Sequence, residues 1–308
     1  MQSVANKLND EIELTQLISA LWQGKILIVG LVILCSACSV FYALSLPNIY
    51  KSTVLLTAAD ESQNSGMSKL NSQFGGLAAM AGVKLGSSGV DKSALALEII
   101  KSHAFIAEFI DKNNLKPLIM AADNWDLGTN KVSYKPSVYN AESKVWVREA
   151  KIPRLPEPSS QEVHEKFIKE HLSINSDKKS NLVSISIFHV SPYVAKDIAD
   201  KLVVAINAKI KKDDIDEANK SIAYLTSALG QTAVADMQKI FYELIEQQEQ
   251  TKMLANARDQ YVFKVIDPAV VAELKDSPKR AIICIFGSVL GFLLGCGFVL
   301  IRYFLKKS

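Results

Sequence analysis

Cysteine is missing from the whole stretch between residues 47 and 280 of this 308-residue chain. That rules out a disulfide framework and any cysteine-ligated zinc site there, so the middle of the protein must rest on its own apolar core. Some 230 residues are enough to build one. Histidine is equally scarce. The four present, His103, His164, His171 and His189, include no pair four residues apart on a helix and no metal-ligand spacing. There is no Gly-x-Ser-x-Gly elbow and no Gly-x4-Gly-Lys-Ser/Thr phosphate loop. The carboxylates Asp213, Asp214, Asp216 and Glu217 stand beside Lys209, Lys211 and Lys212 and read as a solvated face. The sequence therefore points to no catalytic residue, no cofactor and no metal. A net charge of +3 gives no reason to expect a nucleic-acid partner.

Charge is absent from two further places, and here the absence is informative. Residues 26–46, between Lys25 and Pro47, and residues 281–301, between Arg280 and Arg302, contain no ionisable side chain. About 20 apolar residues cross a bilayer, and a charge at its centre costs about 3 kcal/mol, so both runs read as transmembrane helices. A cleaved signal peptide is disfavoured for the first, because its apolar run is too long and 25 residues precede it. Ser36-Ala37-Cys38 looks like part of a lipid-attachment box, but Cys35 stands where leucine belongs. All four cysteines, Cys35, Cys38, Cys284 and Cys296, fall inside these runs and read as small apolar packing residues.

Two spans leave both termini on one side. The basic tail 302–308, with Arg302, Lys306 and Lys307, favours the cytoplasm. Lys275, Lys279 and Arg280 weigh the other way, but long loops translocate largely regardless of charge. The expected organisation is a cytoplasmic segment 1–25, a span 26–46, an extracytoplasmic domain 47–280, a span 281–301 and a cytoplasmic tail 302–308.

Within the domain the periodicities alternate between helix and strand. Residues 49–56 are rich in β-branched and aromatic side chains and read as a strand. Residues 61–90 are Ser-, Gly- and Ala-rich, with an apolar stretch at 74–83, and read as a loop. Ser93 to Asn113 reads as one helix with Leu95, Ile99, Ile106, Phe109 and Ile110 on a face. Residues 121–158 read as irregular, with Trp125 and Trp146 plugging loops onto the core rather than stacking on sugar. Ser159 and Glu162 form a capping box. Residues 172–175 and 182–189 read as a β-hairpin with Val183, Ile185 and Ile187 on one side. A late strand at 261–266 is expected to pair with the strand after the first span.

The longest feature runs from Ser191-Pro192 to about residue 257, interrupted only by Gly230. Ile215, Ala218, Ile222, Leu225 and Leu229 alternate steps of three and four, a heptad seam that needs a partner in the chain or in copies of itself. Met237, Ile240, Phe241 and Leu244 resume it after the glycine. Unbroken, such a helix would reach about 100 Å; a break at Gly230 would divide it in two. The fold class expected is α+β: a membrane-proximal mixed sheet with helices, one very long helix over about 192–257, and two transmembrane helices.

The second span carries Gly287, Gly291 and Gly295 at intervals of four, a smooth stripe that a helix backbone can approach closely. Ser277-Pro278-Lys279, eleven residues, then Gly291-x3-Gly295 resembles the signature of the Wzz polysaccharide chain-length determinants, or polysaccharide co-polymerases. The stretch from Glu246 to Val271 and Ile49-Tyr50-Lys51-Ser52 are similar to the same family. One departure is that Ala269 and Ala272 stand where family members often carry proline, which implies a less stiff linker. The resemblance implies a bacterial inner-membrane protein with its domain in the periplasm. It implies a homo-oligomer that acts with a separate membrane polymerase to set the number of repeat units in O-antigen or a related lipid-linked glycan, and no enzymatic activity. Two other classes fit the same two-span layout. An adaptor for capsule or exopolysaccharide export would need a separate kinase, since no nucleotide motif occurs. A ligand-sensing ectodomain would need a larger cytoplasmic output module. A reporter active only in the cytoplasm, fused near residue 150, should stay silent; a bright signal would overturn the expected topology.

Overall fold

The computed structural model describes residues 21–59, 92–177 and 179–307. Most of the N-terminal segment 1–25, all but residues 21–25, and the apolar stretch 74–83 lie outside the described residues. In chain order the elements are α1 (Lys25–Ser45), β1 (Tyr50–Ala58), α2 (Lys92–Lys101), α3 (His103–Lys112), α4 (Lys116–Ala121), β2 (Ala122–Asp126), β3 (Lys131–Tyr134), β4 (Tyr139–Asn140), β5 (Val145–Trp146), α5 (Ser160–Lys166) with a π-helical turn Phe167–His171, β6 (Leu172–Asp177), β7 (Leu182–His189), α6 (Pro192–Gln231), α7 (Ala235–Ala257), β8 (Phe263–Asp267) and α8 (Arg280–Lys307). They form two compact units, one of residues 1–48 with 275–308, the other of residues 49–274.

The larger unit is α+β, as expected. Its main sheet has the order β6-β7-β1-β8. It was expected to be mixed, and it is antiparallel throughout. The physical reason is local: β6 and β7 are joined by a short turn, and such turns connect only antiparallel strands. The late strand does return to the strand after the first span, with Leu56 opposite Val265 and Ala58 opposite Phe263. Ser52, Val54 and Leu56 on β1 and Val183, Ile185 and Ile187 on β7 point into the core, in the two-residue alternation of a half-covered sheet.

Helices α2, α3 and the first half of α6 cover that face. The expected single helix over 93–113 is broken at Ser102. Its backbone is extended there (φ −69°, ψ 145°), and its hydroxyl accepts from the Phe105 N–H to cap α3. The break changes the phase: Ala96 and Ile100 are buried on α2, whereas Leu95 is exposed. Phe105, Ile106, Phe109 and Ile110 bury the α3 face, and Asn113 and Asn114 close it, Asn114 in the left-handed region. The capping box is present, with the Glu162 N–H donating to Ser159 Oγ at 3.2 Å.

Residues 121–158, expected to be irregular, contain two small hairpins, β2–β3 and β4–β5. Trp125 does plug its loop onto the fold. Its ring meets Tyr50 edge-on at 5.5 Å and lies 6.1 Å from Tyr193, while its indole N–H donates to Asn130. Trp146 packs on Tyr139 at 4.8 Å.

The long helix is two helices. Gly230 stays helical; the chain breaks over Thr232–Val234, where the β-branched Thr232 and Val234 adopt extended backbone. Thr232 Oγ1 accepts from the Val234 N–H, and the Thr232 carbonyl accepts from the Gln238 amide, which restarts the helix. The second arm folds back along the first, so the 23 residues of α7 retrace a rise of about 35 Å and no 100 Å rod is formed. Asn207 fixes the return. This buried carboxamide accepts from the Val262 and Phe263 N–H groups at 2.8 and 2.9 Å and donates to the Phe263 carbonyl at 3.1 Å. Lys211 adds a bond to the Arg258 carbonyl.

Two histidines are enclosed where β6 and β7 meet α4. His189 donates from Nε2 to the Leu118 carbonyl and accepts at Nδ1 from the Ser191 N–H, which fixes a neutral tautomer. His171 donates from Nδ1 to the Phe188 carbonyl, its ring 6.0 Å from that of His189. Burial pushes both imidazoles down, His189 to about 4 with His171 adding repulsion; Lys166 also disfavours charge on both, and Glu170 opposes this weakly at His171. The unfolded chain therefore binds protons that the folded chain refuses. Stability is full above about pH 6.5 and should fall by about 1.4 kcal/mol per pH unit towards pH 4 on account of His189 alone. Urea unfolding of the detergent-solubilised protein followed by tryptophan fluorescence between pH 7 and pH 5 checks this, and His189→Gln should flatten the slope.

Candidate functional site

The smaller unit consists of the two helices long and apolar enough to cross a membrane, Lys25–Ser45 and Arg280–Leu305 within α8. They pack antiparallel along their lengths. In hydrocarbon no hydrophobic force drives two helices together, so their association depends on backbone approach and on hydrogen bonds.

The glycines supply the approach. Intervals of four put Gly287, Gly291 and Gly295 on one helix face, and that face meets α1. A Cβ built at Gly291 would lie 2.9 Å from the Cβ of Cys35, 3.0 Å from the Val32 Cα and 3.1 Å from the Leu31 carbonyl oxygen; one at Gly295 would lie 3.0 Å from the Ile28 Cα; one at Gly287 would overlap the Ser39 side chain. Gly24, just before α1, is filled in the same way by Val299. Two further glycines of these helices, Gly30 and Gly297, have nothing within 4 Å. Contact with the opposite helix therefore distinguishes the stripe from its neighbours. The partner surface is made small to match, by Cys35 and Ser39.

Hydroxyls cross the same seam. Ser36 and Ser288 share a hydrogen bond of 2.9 Å; Ser288 donates to the Cys284 carbonyl and Ser39 to the Ser36 carbonyl. Inside a bilayer, where no water is available, such groups must find partners within the helix pair.

Arg280 closes the end of the seam. The last carbonyls of any helix lack intrahelical partners. Here Arg280 Nε donates to the Ala43 carbonyl at 3.0 Å, and Nη2 donates to the Leu46 carbonyl and to Asn48 Oδ1. Lys275 donates to the same Asn48 oxygen. A cation at this point also complements the negative end of the α1 dipole. Sequence reasoning treated Arg280 only as the flank of a span. Antiparallel helices joined at one end place the first residue of the second beside the last turn of the first, and that was the available signal.

Ser277, Pro278 and Lys279 stand immediately before α8. The Ser277–Pro278 bond is cis, and the Lys279 carbonyl accepts from the Ile282 N–H, the first bond of the helix. The motif and the glycine stripe therefore lie in one unit. The heptad seam belongs to the other. Ala218 is buried and Ile215, Ile222, Leu225 and Leu229 are half-buried on α6, the helix along which α7 packs.

Fold and seam together define a class: a chain with one α+β unit and a closely packed pair of helices long and apolar enough to cross a membrane. Comparison with protein families is more specific. Residues 10–113 match the family model "Wzz: Chain length determinant protein", and residues 231–304 match "GNVR: G-rich domain on putative tyrosine kinase". The family read as a resemblance from the residues is the one whose model matches residues 10–113. Curated proteins give no match. Among solved structures, the chain is similar to a full-length bacterial polysaccharide co-polymerase at 15% identity and a TM-score of 0.40, over 96% of this chain and 99% of that one. It is also similar to a fragment of WzzB, a polysaccharide co-polymerase from Salmonella Typhimurium, at 16% identity and a TM-score of 0.29, over 75% and 100%.

The seam can be tested directly. With the native cysteines replaced by alanine, the pair Ser36→Cys and Ser288→Cys should cross-link efficiently. Adding Gly291→Leu should reduce the yield several-fold, whereas Gly297→Leu, in open space, should leave it unchanged.

Proposed function

We propose that this protein sets how many repeat units of O-antigen, or of a related lipid-linked glycan, are joined, acting without catalysis of its own as an oligomeric partner of a separate membrane polymerase. The observation that carries this reading is the Wzz chain length determinant match on a chain whose two apolar helices are fitted to each other by a glycine stripe. In this reading both termini are cytoplasmic and residues 47–280 lie in the periplasm of a bacterial inner-membrane protein. The basic tail with Arg302, Lys306 and Lys307 supports that orientation.

The mechanism rests on rigidity. Close backbone contact at Gly291 and Gly295, with Arg280 holding the far end, makes the two spans one body. The motif Ser277-Pro278-Lys279 leads directly into that body, the Lys279 carbonyl taking the first hydrogen bond of α8. The α6–α7 hairpin, with Tyr242 and Met253 exposed on its second arm, contributes to assembly among copies.

The match to a G-rich domain on putative tyrosine kinases favours one other reading, an adaptor for capsule or exopolysaccharide export. A deletion strain separates the two. Lipopolysaccharide on a gel should lose its preferred O-antigen length, with capsule unaffected, and loss of capsule at unchanged O-antigen length would favour the adaptor. Complementing the deletion with Gly291→Leu/Gly295→Leu should give a shifted or broadened length distribution at normal protein abundance.

A further inference from the structure

The four histidines show no ligand spacing in the sequence, but the fold brings them together in pairs. His171 and His189 are enclosed, and both ring nitrogens of His189 already have backbone partners. The other pair is at the surface. His103, the first residue of α3, is exposed, and His164 on α5 is half-buried. Their ring centroids lie 5.4 Å apart, with the planes tilted by 54°. Metal–nitrogen bonds of about 2.1 Å at a tetrahedral angle put the centroids of two imidazoles on one ion about 5 Å apart. The observed spacing fits a shared ion.

The hydrogen bonding of the two rings points the same way. His164 Nε2 lies 2.8 Å from the Lys101 carbonyl oxygen. A carbonyl only accepts, so the proton sits on Nε2 and Nδ1 keeps its lone pair. Metal-ligating histidines donate their other ring N–H to just such a group, which fixes the tautomer and makes the ligating nitrogen more basic. Lys101 ends α2, where carbonyls lack intrahelical partners, so the helix break at Ser102 is what frees this acceptor. Among the described residues the His103 ring has no hydrogen-bond partner, and a lone pair is available on it. Glu98 and Glu165 are held by Lys101 and Lys169. Among the described residues no third histidine, cysteine or carboxylate completes a ligand set. A site of neutral imidazoles alone suits Zn²⁺, Ni²⁺ or Cu²⁺ and does not suit Ca²⁺ or Mg²⁺, which take oxygen ligands.

We infer that His103 and His164 form a two-imidazole site for a divalent late transition-metal ion, with water in its remaining positions. The ion ties the start of α3 to α5, two helices that already pack on each other. With only two protein ligands the ion exchanges with solvent, and occupancy follows its concentration. The site lies wholly within the larger unit. It does not depend on any role in glycan synthesis, and the test involves no glycan.

The test uses the full chain in detergent, native cysteines replaced by alanine, titrated with Cu²⁺, the tightest-binding of these ions. Electron paramagnetic resonance should show copper held by two imidazole nitrogens. His103→Ala removes an exposed ring and should leave the circular dichroism spectrum unchanged. It should weaken binding about 10- to 100-fold, as loss of even an outer-shell partner does, and cut the coupled nitrogens to one. His164→Gln keeps a donor for the Lys101 carbonyl and should weaken binding to the same extent. Calorimetric titration with Zn²⁺ should show the same losses. A two-nitrogen signal that survives both substitutions would overturn the proposal, as would a spectrum of the unsubstituted histidine pair with one imidazole or none. In either case the chain holds an adventitious ion only.

Discussion

Everything in the smaller unit depends on one steric fact: the α8 backbone lies against α1 at positions where a single methyl group would overlap the Cys35 and Ser39 side chains and press on the Ile28 and Val32 Cα atoms. In a hydrocarbon solvent this contact replaces the hydrophobic effect as the source of helix association. The hydroxyl bonds and the Arg280 clamp are possible only because the backbones are already that close. Ser36 and Ser288 could not share a hydrogen bond at 2.9 Å across a seam widened by larger side chains. The clamp in turn removes free carbonyls from the last turn of α1, where the chain leaves the apolar region.

The larger unit is held by a different constraint, the burial of one sheet face under α2, α3 and the first half of α6. Beyond Ile210 only Ala218 on α6 is buried, so the core ends and the hairpin begins within a few residues. Asn207 sits at that boundary. A buried carboxamide with three backbone partners is a demanding arrangement, since losing any one of them leaves a polar group unsatisfied at a cost of about 1–3 kcal/mol. It ties the returning strand β8 to the helix that departs.

What could be read from the residues followed from the range of the interactions involved. Long apolar helices, strand alternation, the capping box and the glycine stripe are local patterns, and they appear where periodicity puts them. The contacts that depend on distant partners were not legible. Ser102 looks like any polar residue on an exposed helix face until its hydroxyl is seen capping α3. Gly230 drew attention as the obvious breaker, but an exposed glycine costs only about 1 kcal/mol in a helix. The chain turned instead at Thr232–Val234, where extended backbone suits β-branched residues. Arg280 was hidden by its role as a flanking charge. The hairpins of 121–158 were hidden by strands of two to five residues, too short to show a period.

The Asn207 junction has a consequence for how such a protein can vary. The departing and returning strokes of the hairpin are tied at one level, so the segment between residues 210 and 258 is an insert with a single footing. Adding a heptad to each arm would extend it by about 10 Å while every register in the sheet and every contact in the core stayed the same. Reach is thus a dimension that evolution, or an engineer, can adjust independently of the base.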